Sequence, residues 1–125
     1  MPAVVYECDP AESAELKRIL DYDPYLDKSL DEDALKKLNG DKQANIIFSR
    51  QEFSLREGAS LGLSNGKYYL YINANEEFLE GADVKLKKGF KSIKRASKDD
   101  EQKFIGIIEE EHNAGNAGIG AIFGG

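Results

Sequence analysis

Cysteine and histidine are almost absent from this chain of 125 residues, in which Cys8 and His112 are each the only residue of their type. A single cysteine excludes an internal disulfide, and one cysteine with one histidine supplies too few ligands for a structural zinc site. No apolar run approaches the length that crosses a bilayer, and the first residues lack the basic and apolar regions of a signal peptide. These absences predict a cytoplasmic protein with no membrane partner.

The composition is that of an ordinary soluble protein, with 41% apolar and 32% charged residues. A chain of this length is large enough for one hydrophobic core, so we expect a single domain over residues 1–125. The acidic residues between positions 21 and 32 are spaced like those of a calcium-binding loop. Leu26, however, stands where that loop needs glycine for its sharp turn, and we therefore predict no metal and no cofactor.

The charge is unevenly distributed along the chain. Residues 84–98 hold seven of the 17 basic residues and no acidic residue, so the remainder has ten basic residues against 23 acidic ones. A basic segment in an acidic chain suits local binding of an anion, either RNA or a phosphorylated ligand. The candidate anion-binding residues are Lys85, Lys87, Lys88, Lys91, Lys94 and Arg95. The alternative is that they form a solvated edge facing the acidic helices.

Asn65 and Gly66 predict the tight turn of a central β-hairpin, because a two-residue type I′ turn needs positive φ at both central residues. This turn sets a register in which Leu61 pairs with Leu70. Side chains alternate along a strand, so one face of the hairpin is the predicted core: Ala59, Leu61, Leu63, Tyr68, Leu70 and Ile72. Tyr69 and Tyr71 then point outward, as an interface if no helix covers them and as core if one does.

The remaining elements predict an α+β fold. Strands are expected at residues 4–6, 44–49 and 53–55, and one or two basic strands around Val84 and Leu86. Helices are expected after Asp9, from Leu30 to Leu38, and from Ser97, with one helical turn ending at Gly81. The fold is therefore a mainly antiparallel sheet of five or six strands. Two N-terminal helices and the long C-terminal helix pack mostly on one of its faces.

The C-terminal residues are rich in glycine, and Gly115 is expected to end the last helix. The segment that follows carries three large apolar residues, which are candidate interface residues: Ile119, Ile122 and Phe123. We expect this segment to dock, either as a final strand or against a partner chain.

The segments from Phe104 to His112 and from Gly118 to Gly124 resemble the ends of an uncharacterised family of small archaeal proteins from methanogens. The resemblance covers about the last quarter of the chain. It implies a cytoplasmic setting and carries over no catalytic residue.

Three functions are ranked by these patterns. The leading hypothesis is a non-enzymatic binding or self-assembling module that forms a homo-oligomer. The second is an anion-binding module that uses the basic segment. An enzyme with a site based on Cys8 ranks lowest, because no nucleophile and base, paired carboxylates or metal ligands have recognisable spacing, and no catalytic residue is predicted.

Overall fold

The computed structural model describes residues 2–40, 46–63 and 66–122, with side chains up to residue 113. It contains one antiparallel sheet with the strand order β2-β3-β1-β4. The strands are β1 (Ala3–Cys8), β2 (Glu52–Glu57), β3 (Tyr68–Asn73) and β4 (Lys94–Arg95). The α+β class and the antiparallel sheet are confirmed. The prediction of five or six strands is wrong, since the described residues form four.

In the described ranges four α-helices accompany this sheet: α1 (Ser13–Asp21), α2 (Glu32–Gly40), α3 (Glu76–Gly89) and α4 (Lys98–Ile122). Side chains cap three of them as their sequences indicate. Asp31 accepts the Ala34 N–H at 2.8 Å before α2, and Asn75 accepts the Phe78 N–H at 2.8 Å before α3. The predicted cap at the start of α4 is also present, because the Asp100 N–H donates to Ser97 Oγ at 3.2 Å.

Helices cover both faces of the sheet, and this corrects the prediction that they pack mostly on one face. On one face Leu70 and Ile72 of β3 share a buried cluster with Leu16 of α1 and Leu86 of α3. The opposite face packs on α4 through Val5, Leu61, Tyr69, Tyr71, Phe104 and Ile108. β1 and β3 lie at the centre of the sheet. Most of their side chains are apolar on both faces, because helices pack against both faces.

The predicted strand β3 is present, but the prediction that residues 59–64 form the other strand of its hairpin is wrong. β3 pairs with Glu52–Glu57, so Leu55 rather than Leu61 lies opposite Leu70. Residues 58–61 form a short 3₁₀ turn, and Gly62 follows with a φ of +76°. Leu61 consequently packs under α4, on the face opposite to Leu70. The predicted turn falls partly on Asn65, which lies outside the described residues, and Gly66 has a φ of +69°.

Two further strand predictions are wrong. Residues 46–49, expected in a strand, lead into a 3₁₀ turn (Phe48–Arg50) whose Phe48 side chain is buried. Val84 and Leu86 belong to α3, which runs through Gly81 instead of ending there. A Cβ on Gly81 would lie 2.8 Å from Ile46 Cδ1, so this glycine permits close packing within the helix. Runs of lysine and apolar residues fit a helix as well as a strand, and the capped start at Asn75 favours the helix.

The predicted helix end at Gly115 is also wrong, because α4 continues to Ile122. Glycine weakens a helix interior by about 1 kcal/mol relative to alanine but does not by itself terminate it. Ile119 and Ile122 are therefore helical, and Phe123 lies outside the described residues. Among the described residues, no helix has the length and apolar character that crossing a membrane requires.

Candidate functional site

The basic segment is divided between the end of α3, a connection and β4, and most of its cations already have partners. Lys87 pairs with Asp83 at 3.1 Å, and Lys85 donates to the Ile46 carbonyl at 3.0 Å. In and around β4, Lys94 pairs with Glu7 at 3.3 Å and Arg95 with Glu101 at 2.8 Å. Lys88 and Lys91 are exposed and form no ion pair with a described residue. The structure does not bring the six predicted residues together in one anion site.

The connection between α3 and β4 holds a carboxylate of the chain itself. Glu12 accepts the N–H groups of Lys91 and Ser92 at 3.1 and 2.8 Å, and it also accepts the Ser92 hydroxyl. The hydrogen bonds from Ser92 and Lys91 lower the pKa of Glu12. Main-chain N–H groups that would attract an external phosphate are therefore occupied by Glu12.

Cys8 is buried in the cluster beneath α1 and α3, with 2% of its surface exposed. Burial, followed by the negative charges of Glu12 and Asp9, raises the pKa of its thiol to about 11. His112 lies on α4, across the sheet, where its Nε2 is 3.2 Å from Glu52 Oε1. The structure thus separates the two residues that a nucleophile and base would require to be adjacent.

We expect native Cys8 to react with iodoacetamide at least a hundredfold more slowly than Cys8 of the chain unfolded in urea. At about pH 7.5 a thiol with a pKa near 11 holds roughly three hundredfold less thiolate than one with the ordinary pKa of about 8.5. Mass spectrometry of the adduct over time gives both rates. Equal rates would restore Cys8 as a candidate nucleophile.

The acidic residues 21–32 use their carboxylates locally. Asp23 accepts from Arg50 Nε at 2.9 Å, and Asp27 accepts from the Tyr22 hydroxyl and the Ser29 N–H at 2.6 and 2.9 Å. In the parts of the chain that the structure describes, no three histidine, cysteine or acidic side chains are grouped as metal ligands.

Tyr69 and Tyr71 do not form an outer surface, and this corrects their assignment as interface residues. Their side chains are 0% and 4% exposed because α4 covers this face of β3. The Tyr71 ring lies 5.8 Å from that of Phe104, and the Tyr69 hydroxyl donates to Asp100 at 3.3 Å. Both tyrosines therefore belong to the core, which was the alternative if a helix covered them.

A groove of about 530 Å³ lies between α3 and the start of β1. Val4, Tyr6 and Leu79 contribute apolar surface to it, and Glu76 and Glu80 stand at its side. Within it the Tyr6 hydroxyl donates to Asp83 at 2.7 Å. Burial opposes ionisation of Asp83, but the hydrogen bonds from Tyr6 and Lys87 outweigh it and lower the Asp83 pKa. The polar groups on the inner wall of the groove are thus satisfied by one another.

The outer edge of β2 is the surface that sequence reasoning missed. Gly58 donates its N–H to the Lys67 carbonyl at 2.7 Å, which makes these two residues a hydrogen-bonded pair of the β2 and β3 ladder. Such pairs alternate along an antiparallel ladder, so the main-chain groups of Ser54 point towards β3 while those of Phe53 and Leu55 point outward. No described residue hydrogen-bonds to these outward groups. We call them, together with the outward N–H of Glu57, the β2 edge.

The side chains of β2 are held on both sides of this edge. Towards α4, Arg56 forms two hydrogen bonds with Glu111 at 2.5 and 2.6 Å, and its Nε donates to Ser54 at 2.9 Å. Towards α1, Phe53 and Leu55 are half-buried beside a cleft of about 240 Å³. The strand is thereby fixed in place with its outer hydrogen-bonding groups available.

The other end of the sheet is partly covered. β4 covers part of β1, and the Ala96 N–H donates to the Val5 carbonyl at 3.0 Å. The Glu101 carboxylate accepts the outward Val5 N–H at 3.1 Å and is held there by Arg95. The two ends of the sheet are therefore unequal, with the longer open run of main-chain groups on β2.

The fold and this surface define the class of protein: an α+β protein with helices on both faces of a four-stranded antiparallel sheet that is open along β2. Comparisons with protein-family models, curated proteins and solved structures found no match to this chain.

Proposed function

We propose that this chain is a non-enzymatic assembly protein that associates through the β2 edge. The observation that carries the proposal is the pair of residues, Phe53 and Leu55, whose main-chain N–H and C=O groups point outward without a described partner. A rigid strand with free hydrogen-bonding groups recruits another extended strand at low entropic cost. The strand is already ordered by β3 on one side and by α4 above it.

The course of α4 supports the same proposal. The helix starts beside β1, where Glu101 contacts Val5, and reaches β2 at Glu111 and His112. Residues 113–122 then continue the helix for about 15 Å at 1.5 Å per residue. Their sequence contains no charged residue. A second chain at the β2 edge would give this uncharged end of α4 a surface to contact.

The anion-binding alternative has weaker support. Four of its six candidate side chains are engaged by acidic side chains or by a carbonyl, and Glu12 occupies the neighbouring N–H groups. The enzyme alternative has the weakest support, because Cys8 is buried as a protonated thiol.

Sedimentation equilibrium of the intact chain should give a species of about 28 kDa, twice the mass of the 13.9 kDa chain. Glu57→Pro should shift the mass towards one chain and raise the dissociation constant at least tenfold, because proline removes an outward N–H and crowds the β2 edge. The folded chain accepts this change without backbone strain, since Glu57 already has a φ of −67°.

Glu57→Gln is the matched control, because it removes the charge and keeps the N–H. It should sediment like the parent chain, and circular dichroism should show that both variants retain the fold. A parent chain that stays monomeric at all concentrations up to about 1 mM would overturn the proposal. This limit equals the effective concentration of two binding sites joined by a short linker.

A further inference from the structure

We infer that the strand added at the β2 edge is β2 of a second copy of this chain, in an antiparallel pair with Ser54 on the two-fold axis. The inference rests on the proposed function and adds the identity and the register of the partner. The sheets of the two copies would then form one continuous sheet of eight strands, four from each chain.

Hydrogen-bond geometry restricts the registers that two β2 edges can adopt. Only odd-numbered residues of β2 present outward main-chain groups, so odd residues must pair with odd residues. A two-fold axis can therefore pass through a residue of the strand but not between two residues. Axes at Phe53, Ser54, Leu55 and Arg56 are the four that use the outward groups.

Side-chain chemistry selects among these four axes, because residues directly opposite each other point to the same face. An axis at Ser54 places Glu52 opposite Arg56 of the second copy, and Phe53 opposite Leu55. Opposite charges and apolar side chains are thus matched at every position between residues 52 and 56.

The other axes create mismatches. An axis at Phe53 sets Leu55 opposite the polar Gln51, whose N–H is already used, and leaves Arg56 without an acidic residue of β2 opposite it. An axis at Arg56 sets Arg56 opposite itself and so opposes like charges. An axis at Leu55 sets the apolar Phe53 opposite Glu57. The sequence of β2 is therefore self-complementary around Ser54 alone.

The groups needed for this pairing are free in the described part of one chain. With the axis at Ser54, each of the two Phe53 and Leu55 pairs exchanges two main-chain hydrogen bonds. The N–H of Glu57 also reaches the Gln51 carbonyl of the second copy, whereas the Gln51 N–H is already used by the Phe48 carbonyl. Arg56 uses three of the five N–H groups of an arginine on Ser54 and Glu111, so two remain for Glu52 of the second copy.

A strand pair of this length buries less than the roughly 800 Å² per partner that is usual in a stable complex. The end of α4 is the part of the chain placed to add to it, because His112 contacts Glu52 at the start of β2 and the uncharged residues 113–122 follow. A two-fold axis at Ser54 puts both α4 helices on the same face of the joined sheet, one at each side of the axis.

Disulfide trapping of a Ser54→Cys variant tests this register. Facing residues on the axis form a non-hydrogen-bonded pair with Cα atoms about 4.5 Å apart, within the range that a disulfide spans. With oxidised glutathione and about 10 μM protein, we expect the linked dimer to form roughly a hundredfold faster than from random collision, because a paired site has a mM effective concentration.

Ser29→Cys is the control, because Ser29 is exposed and belongs to the connection before α2 and not to β2. The parent chain is a second control, since its buried Cys8 should not be linked. Non-reducing gels give the rates, and circular dichroism checks that both variants fold.

The outcomes separate the register from the proposed function. If the parent chain is dimeric at the protein concentration of the trapping experiment and Ser54→Cys links no faster than Ser29→Cys, the register is wrong and association through the β2 edge survives. Linking only between Ser54→Cys and Arg56→Cys chains, when the two are mixed, places the axis at Leu55 and also overturns this inference. A parent chain that is a single copy overturns both proposals.

Discussion

Replacing Phe104 with alanine is expected to lower the free energy of unfolding by about 3–5 kcal/mol, the usual cost of removing a buried phenylalanine. The Phe104 side chain is 0% exposed and joins α4 to the sheet. Its ring contacts Tyr71 at 5.8 Å, and the Arg56 guanidinium lies 5.7 Å from its centre. The lost side chain would leave a cavity between rigid elements that cannot close it.

Urea denaturation followed by circular dichroism measures this effect. Phe104→Leu keeps most of the apolar volume and should cost about 1.5 kcal/mol or less. Lys98→Ala, at an exposed position of the same helix, should change the free energy by no more than about 0.5 kcal/mol. A loss below about 1 kcal/mol for Phe104→Ala would mean that α4 does not pack on Tyr69 and Tyr71.

Replacing Gly58 with alanine is expected to destabilise the fold by about 1–3 kcal/mol, which is typical of overpacking. A Cβ at Gly58 would lie 3.0 Å from the Lys67 carbonyl oxygen and from the Tyr69 ring, and 3.1 Å from the Leu63 carbonyl oxygen. Two of these neighbours are main-chain atoms in a hydrogen-bonded turn, so they cannot move without breaking it.

Gly106 provides the opposite case, because it lies within α4 and a Cβ there would meet nothing within 4 Å. Gly106→Ala should therefore raise the free energy of unfolding by about 0.5–1 kcal/mol through the helix propensity of alanine. The same urea titrations compare the two variants. Equal effects at both positions would contradict the close contacts at Gly58.

Local signals were sufficient for several elements of the fold. Asp31 and Ser97 correctly predicted the starts of two helices. The alternation of Tyr68, Leu70 and Ile72 correctly predicted a strand with one face in the core. These features depend on neighbours in sequence, and the interactions that produce them are short in range.

The pairing of the strands depended on contacts that sequence patterns do not encode. Leu61 and Leu55 both fit opposite Leu70, and the choice follows from the packing of Leu61 under α4 and of Gly58 against Tyr69. The burial of Tyr69 and Tyr71 likewise required knowing that α4 covers the face opposite to α1 and α3. The sequence alone does not indicate that β2 lies at the edge of the sheet. Its position there makes the pattern of Glu52, Phe53, Leu55 and Arg56 relevant to pairing with another strand.

The carboxylate of Glu101, bound to the Val5 N–H, has a consequence for how far the chain can polymerise. A protein whose sheet can pair with another copy at both edges forms a filament, because each added copy leaves a further unpaired edge. On the β1 side of the described sheet, a strand that paired at Val5 would have to displace the Glu101 carboxylate. Under the proposed pairing, the β2 edges of two copies are used in joining them. The proposed pairing therefore favours a closed pair of chains over a growing filament, and the Glu101 carboxylate opposes the addition of a further strand at Val5.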